Sequence, residues 1–210
     1  LSESQVTYAA GVAIDDEDTS GIAAALEACA TADCVLLCLG EAATMSGEAA
    51  SRAHLGLPGK QRLLAEAVFE QARARAAPVI VVLFSGRPLV VPWLIEKADA
   101  VLSAWFLGRE AGSALGDVLT GRVSPSGRTP VSWPRAVGQI PIFFSERPGG
   151  RPANPKDHYT SKYLDVPNEP LFCFGHGLNY GRFTLSDLRV TPQDAEDIDT
   201  LRIRVDVRNE

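Results

Sequence analysis

The sequence predicts an α/β fold, a three-layer sandwich with a mostly parallel sheet flanked by helices, followed by a partial β-sandwich. Three observations carry this. Short runs at Cys34 to Leu39, Val79 to Phe84 and within Ala98 to Trp105 are continuously apolar, the pattern of parallel strands buried on both faces. Segments of helical periodicity alternate with them, which is the order that builds strand–helix–strand units. Near the end, LRV at 188–190 and LRIRVDV at 201–207 alternate apolar and polar residues, as half-exposed strands do.

The elements follow in order. Residues 21–31, GIAAALEACAT, read as a helix behind a Ser20 cap. The first strand ends at Gly40, and a loop runs to Pro58. Leu63, Leu64, Ala67, Val68 and Ala72 give near-helical spacing over Gly59 to Ala77, and Pro78 stops it. The second strand closes on SGRP, a short helix spans 91–97, the third strand follows, and Gly108 to Leu119 reads as a helix. From Thr120 the chain is rich in Pro, Gly and aromatics. Trp133, Phe143, Phe144, Tyr159, Tyr163 and Phe172 are too apolar for a free linker, so an ordered surface excursion is expected. The division drawn is an α/β domain at 1–145, an ordered connection at 146–182, and the start of a β domain at 183–210.

Composition bounds the function. The 210 residues allow one good-sized domain, or one domain and a piece of another. With 46% hydrophobic and 22% charged residues, the balance is globular and argues against a disordered chain. A net charge of −6 lends nothing to a nucleic-acid or anionic-membrane surface. No apolar run approaches the ~20 residues that span a bilayer. A chain starting at Leu1 reads as mature, trimmed or excised, and the compartment stays open between periplasm and cytoplasm. Cys29, Cys34, Cys38 and Cys173 have no metal-site spacing and read as buried free thiols.

Ligands of open parallel sheets bind beyond the carboxyl ends of the strands. Three loops lie there: Gly40 to Pro58, Ser85 to Arg87, and Gly108 to Glu110. The first is the longest and holds Glu41, Ser46, Glu48, Ser51, Arg52 and His54. Glu48, in MSGEAASR, could act as an acid/base carboxyl, although by position alone a solvated loop glutamate is the simpler reading. Glu41 could bind a ligand or cap a turn, and the structural role is favoured. Arg52 either orients a carboxylate or pairs on the surface. Arg87 and Arg109 read as loop anchors, and His54, His158 and His176 as surface or packing residues. No serine has an adjacent base, and there is neither a phosphate loop nor a dinucleotide fingerprint. No metal and no cofactor is expected.

Several stretches occur together and in order: ADCVLLCLGE, MSGEAASR, LGLPGKQ, PVIVVLFSGRPLVV, SPSGRTPVSWPRAVGQIP and FGHGLNY. Through them the chain resembles glycoside hydrolase family 3, bacterial β-glucosidase type, from about residue 6 to 190. The resemblance implies an enzyme of three parts: a barrel with the aspartate nucleophile, an α/β sandwich with the acid/base glutamate, and a fibronectin-III-like domain. It maps the acid/base onto Glu48, with Ser46 and Arg52 beside it as substrate-binding residues. His54 stands where relatives often carry Asp, and His176 where they carry Tyr.

On this resemblance the chain is a fragment of a retaining, exo-acting β-glucosidase that removes terminal glucosyl residues from β-glucosides or oligosaccharides. The barrel, the first strand and helix of the sandwich, and most of the third domain are expected to lie outside it. The fragment alone is expected to be inactive and to self-associate or be poorly stable. The alternatives are a β-xylosidase of the same family and a non-catalytic ligand-binding or assembly module.

Overall fold

The computed structural model describes residues 6–191 and 200–210. The main elements are α1 (Ile22–Cys29), β1 (Val35–Gly40), α2 (Gln61–Arg73), β2 (Val79–Phe84), α3 (Pro92–Lys97), β3 (Ala100–Ser103), α4 (Ala111–Leu119), β4 (Phe183–Thr191) and β5 (Arg202–Asn209). They fall into two compact units. The first runs through Ala111 and resumes over Thr129–His176, and the second comprises Gly112–Arg128 and Gly177–Glu210.

In the first unit β1, β2 and β3 form a parallel sheet in that order. Gly40 is level with Phe84, and Leu83 with Ser103, so all three strands end on one edge. Leu37 and Leu39 of β1 pack with Val81 and Leu83 of β2 against Ala25 and Cys29 of α1 and Leu64, Val68 and Phe69 of α2. Successive strand residues point to opposite faces. The other side of β1 therefore shows Leu36, 49% exposed, and the exposed Cys38. Burial on both faces holds for the central β2 but not for β1, where the packed helices cover one side only. The thiols are corrected in the same way. All four are free, but only Cys29 is buried, and burial pushes its thiol pKa up.

Local signals shift the boundaries. Ser20 does not cap α1; Gly21 takes the cap position without a side-chain bond. Ser20 instead donates its backbone N–H and its hydroxyl to the Asp18 carboxylate, both at 2.9 Å. Such a local turn competes with capping, and these bonds, the backbone one foremost, hold Asp18 below its ordinary pKa. α2 is shorter than its apolar pattern: the chain leaves the helix through Ala76 in a left-handed conformation, φ 56°, just before Pro78. The helix expected at 108–119 opens as a 3-10 turn, Gly108–Glu110, and continues as α4.

The aromatic excursion is anchored in the first unit by Trp133, which is 3% exposed. Its indole N–H donates to Leu89 O at 2.7 Å, its backbone exchanges hydrogen bonds with Leu171 and Phe172, and its ring lies 5.8 Å from that of Trp105. Gln139, also buried, accepts from Arg135 N at 2.6 Å and donates to Pro167 O at 2.8 Å. These bonds satisfy backbone groups that a buried irregular segment would otherwise leave unpaired.

In the second unit β4 and β5 pair antiparallel, with an irregularity between Ser186 and Arg189 where Asp187 has φ 52°. Tyr180 donates its hydroxyl to Val118 O of α4 at 2.8 Å. The two alternating sequence runs form these strands, and both strands are exposed along their length. Residues 192–199 of the span 183–210 lie outside the described residues.

Gly40 lets β1 close against β2. Its φ is +143°, and a Cβ there would lie 1.7 Å from Phe84 O. Strained backbone costs about 1–3 kcal/mol and overpacking about 1–3 more. Gly40→Ala should therefore lower the urea midpoint of unfolding by a large margin. An unchanged midpoint would refute the close approach.

Candidate functional site at the carboxyl end of the sheet

The residue after β1 is Glu41, whose side chain is fully buried. Its N–H donates to Phe84 O at 2.8 Å and so extends the β1–β2 pairing by one residue. Its carboxylate meets two arginines. Arg52 Nη1 donates to Glu41 Oε1 at 2.6 Å, and Arg87 Nε lies 3.3 Å from the same oxygen, an ion-pair contact without a hydrogen bond. The other oxygen, Oε2, is buried and unpartnered among the described residues.

The two arginines also hold backbone. Arg52 Nη2 donates to Gly56 O at 3.2 Å, and Arg87 Nη2 donates to Met45 O and, at 2.9 Å, to Ala50 O. Gln61, at the start of α2 and 3% exposed, clamps Gly40 from the side. It accepts from Gly40 N at 2.7 Å and donates to Gly40 O at 2.7 Å and Ile14 O at 2.8 Å. One buried amide thus satisfies both polar groups of a strand-end residue.

Above this cluster runs the loop holding the three residues singled out in the sequence. After a 3-10 turn at Ala43–Met45 comes Ser46, half-buried against the Ser85–Arg87 turn. A Cβ on Gly86 would lie 2.0 Å from Ser46 Oγ, so only glycine fits there. Glu48 is exposed, in a turn between Gly47 at φ 110° and Ala49 at φ 57°. Arg52 is turned inward to Glu41. Arg109 and His54 are exposed. Sequence reasoning passed over Gln61 and the depth of Glu41. The available signal was an acid immediately after a strand-ending glycine, with an arginine in each of two neighbouring loops.

A cavity of 130 Å³ lies beside the cluster, lined by Val12, Ile14, Cys38, Glu41, Gln61 and Phe84 among others. Ser46, Glu48 and Arg52 do not line it. Small-molecule pockets run to about 300–1,000 Å³, so this cavity is too small for a sugar with its neighbours. Among the described residues, no group of three His, Cys, Asp or Glu side chains could hold a metal ion. No described helix is long and apolar enough to cross a membrane.

The family model for the glycosyl hydrolase family 3 C-terminal domain matches residues 2–180. The chain belongs to glycosyl hydrolase family 3. This family 3 chain is 40% identical over 205 residues to a periplasmic β-glucosidase of Salmonella typhimurium, a match covering 96% of the chain and 26% of that protein. It is 34% identical over 205 residues to a β-xylosidase of Formosa agariphila, covering 98% of the chain and 27% of that protein. Among solved structures, a β-glucosidase from Listeria innocua superposes with a TM-score of 0.78 at 40% identity, over 84% of the chain and 25% of that structure. The family 3 chain therefore spans about a quarter of the length of these relatives.

Removing one partner of a buried ion pair costs about 3–5 kcal/mol, because the charge left behind is unpaired. Glu41→Ala should destabilise the family 3 domain by that order in urea titration. A change within error would mean that solvent already screens the two arginines.

Proposed function

We propose that this chain is part of a longer retaining β-glucosidase and supplies its acid/base carboxyl through Glu48. The observation that carries the reading is the position of Glu48. It is an exposed acid on a glycine-flanked turn of the longest loop at the carboxyl end of the sheet, while the neighbouring acid, Glu41, is buried and paired. The 40% identity to a protein named periplasmic β-glucosidase supports the substrate class.

In a retaining mechanism two carboxyl groups about 5–5.5 Å apart flank the scissile bond. The nucleophile, an aspartate on the barrel outside this chain, attacks the anomeric carbon. Glu48 gives its proton to the leaving-group oxygen as that bond breaks. The same carboxylate then takes a proton from water, which attacks the glycosyl-enzyme and frees the sugar with net retention. Ser46 and Arg52 sit on the same loop. Arg52 reaches the reaction through Glu41 and the loop backbone, and Ser46 through the fit against Gly86. A β-xylosidase is the second reading, favoured by the 34% identity to the Formosa protein across 98% of the chain.

Two measurements test this. In the full-length protein, Glu48→Ala should slow turnover of an aryl β-glucoside with a good leaving group by about 10²–10⁴-fold. Deglycosylation is the step that loses its base, and azide, which needs none, should restore turnover and yield a β-glycosyl azide. Full activity without azide would remove Glu48 from the chemistry. Separately, the 210-residue chain alone should leave the same glucoside intact; hydrolysis insensitive to Glu48→Ala would refute the shared-site reading.

A further inference from the structure

We infer that Arg87, locked by buried Glu41, is the positioning residue that aims Glu48; this rests on the acid/base reading of Glu48. Glu48 lies within the segment 45–50. The carbonyls at its two ends, Met45 O and Ala50 O, converge on a single nitrogen, Nη2 of Arg87. Closing both ends on one donor sets the span of the turn and hence the direction of the side chain at its tip.

The anchor is itself fixed. Arg87 Nε faces Glu41 Oε1 at 3.3 Å, and Glu41 is rooted in the sheet through its N–H to Phe84 O at 2.8 Å. Arg52 adds a second strap, from Glu41 to Gly56 O on the descending limb of the loop. An unbroken series of contacts thus runs from the β1–β2 pairing through Glu41 and Arg87 to the turn. Glu48 needs such support, because its carboxylate has no hydrogen bond or ion pair among the described residues, and within the turn itself Gly47 is held by a single long bond, from Ala50 N–H to Gly47 O at 3.3 Å. Only the backbone can aim it.

A guanidinium suits the task where an ammonium does not. Arg presents a planar fork of fixed donors, so one edge can meet the carboxylate while another reaches the carbonyls; Lys offers a point charge. A misplacement of about 1 Å at a reacting group can cost about 100-fold in rate.

The test separates positioning from general structural damage by leaving-group dependence. In the full-length enzyme, kcat/KM would be measured for a methyl β-glucoside, whose departing oxygen needs a proton, and for a dinitrophenyl β-glucoside, whose does not. Arg87→Met should lower the first by about 100-fold and the second by under about 3-fold. Equal losses on both substrates, or none on either, would overturn the inference. If Arg87→Met does not fold, Arg87→Lys keeps the charge against Glu41 without the fork, and the same result is expected of it. Glu48→Ala in the same assay separates the two claims. If it lacks the leaving-group signature, the acid/base reading fails and the inference with it. If it shows the signature and the Arg87 variants do not, only the inference fails.

Discussion

The carboxylate of Glu41 organises the carboxyl end of the sheet. A charge with no exposed side-chain surface is costly unless it is paired, so its position demands cations from the surrounding loops. Arg52 comes from the loop after β1, and Arg87 from the turn after β2. Each then has donors left over, and these go to the backbone of the long loop. Two loops that share no regular structure are joined in this way through one buried oxygen. Gln61 and Gly40 make the burial feasible. Gln61 satisfies the strand-end backbone, and the missing Cβ of Gly40 lets β1 lie close enough to β2 for Glu41 to continue the ladder.

Glu41 and Glu48 share a loop and have opposite environments. Glu41 sits on the last rung of the ladder, where its side chain has to enter the space between the loops. Glu48 sits on a turn whose neighbours carry little or no side chain and adopt left-handed or extended positive-φ backbone. An acid that exchanges protons with a bound molecule has to be reachable. An acid that holds two arginines has to be shielded. The fold gives the reachable and the shielded positions to different carboxylates, Glu48 and Glu41, and links the two through Arg87.

The rest of the first unit supplies a stiff platform. β2 is buried on both faces, and α1 and α2 pack on one side of it. Trp133 brings the irregular aromatic segment onto the same core with a hydrogen bond to Leu89 O. β1 ends the strand order and carries Leu36 and Cys38 on its exposed face; the backbone edge of such a strand, rather than its face, is what pairs with other chain segments.

The sequence by itself determined the order of strands and helices, the parallel sheet and the loop where the candidate acid sits. These follow from local periodicity and from Gly and Pro punctuation, which depend on near neighbours in the chain. The family resemblance rested on motifs that are likewise contiguous. Helix ends were less legible. Ser20 looked like a cap, but it had a closer partner in Asp18. Alternation could not reveal that β1 is covered on one face only, because continuous apolarity looks the same in a central and an edge strand. Only the tertiary structure decided the roles of Glu41, Gln61, Arg52 and Arg87. Apart from Gly56, four residues from Arg52, their partners lie 11 to 47 residues away in the chain, and burial of a charge is a property of what packs around it, which no local pattern encodes.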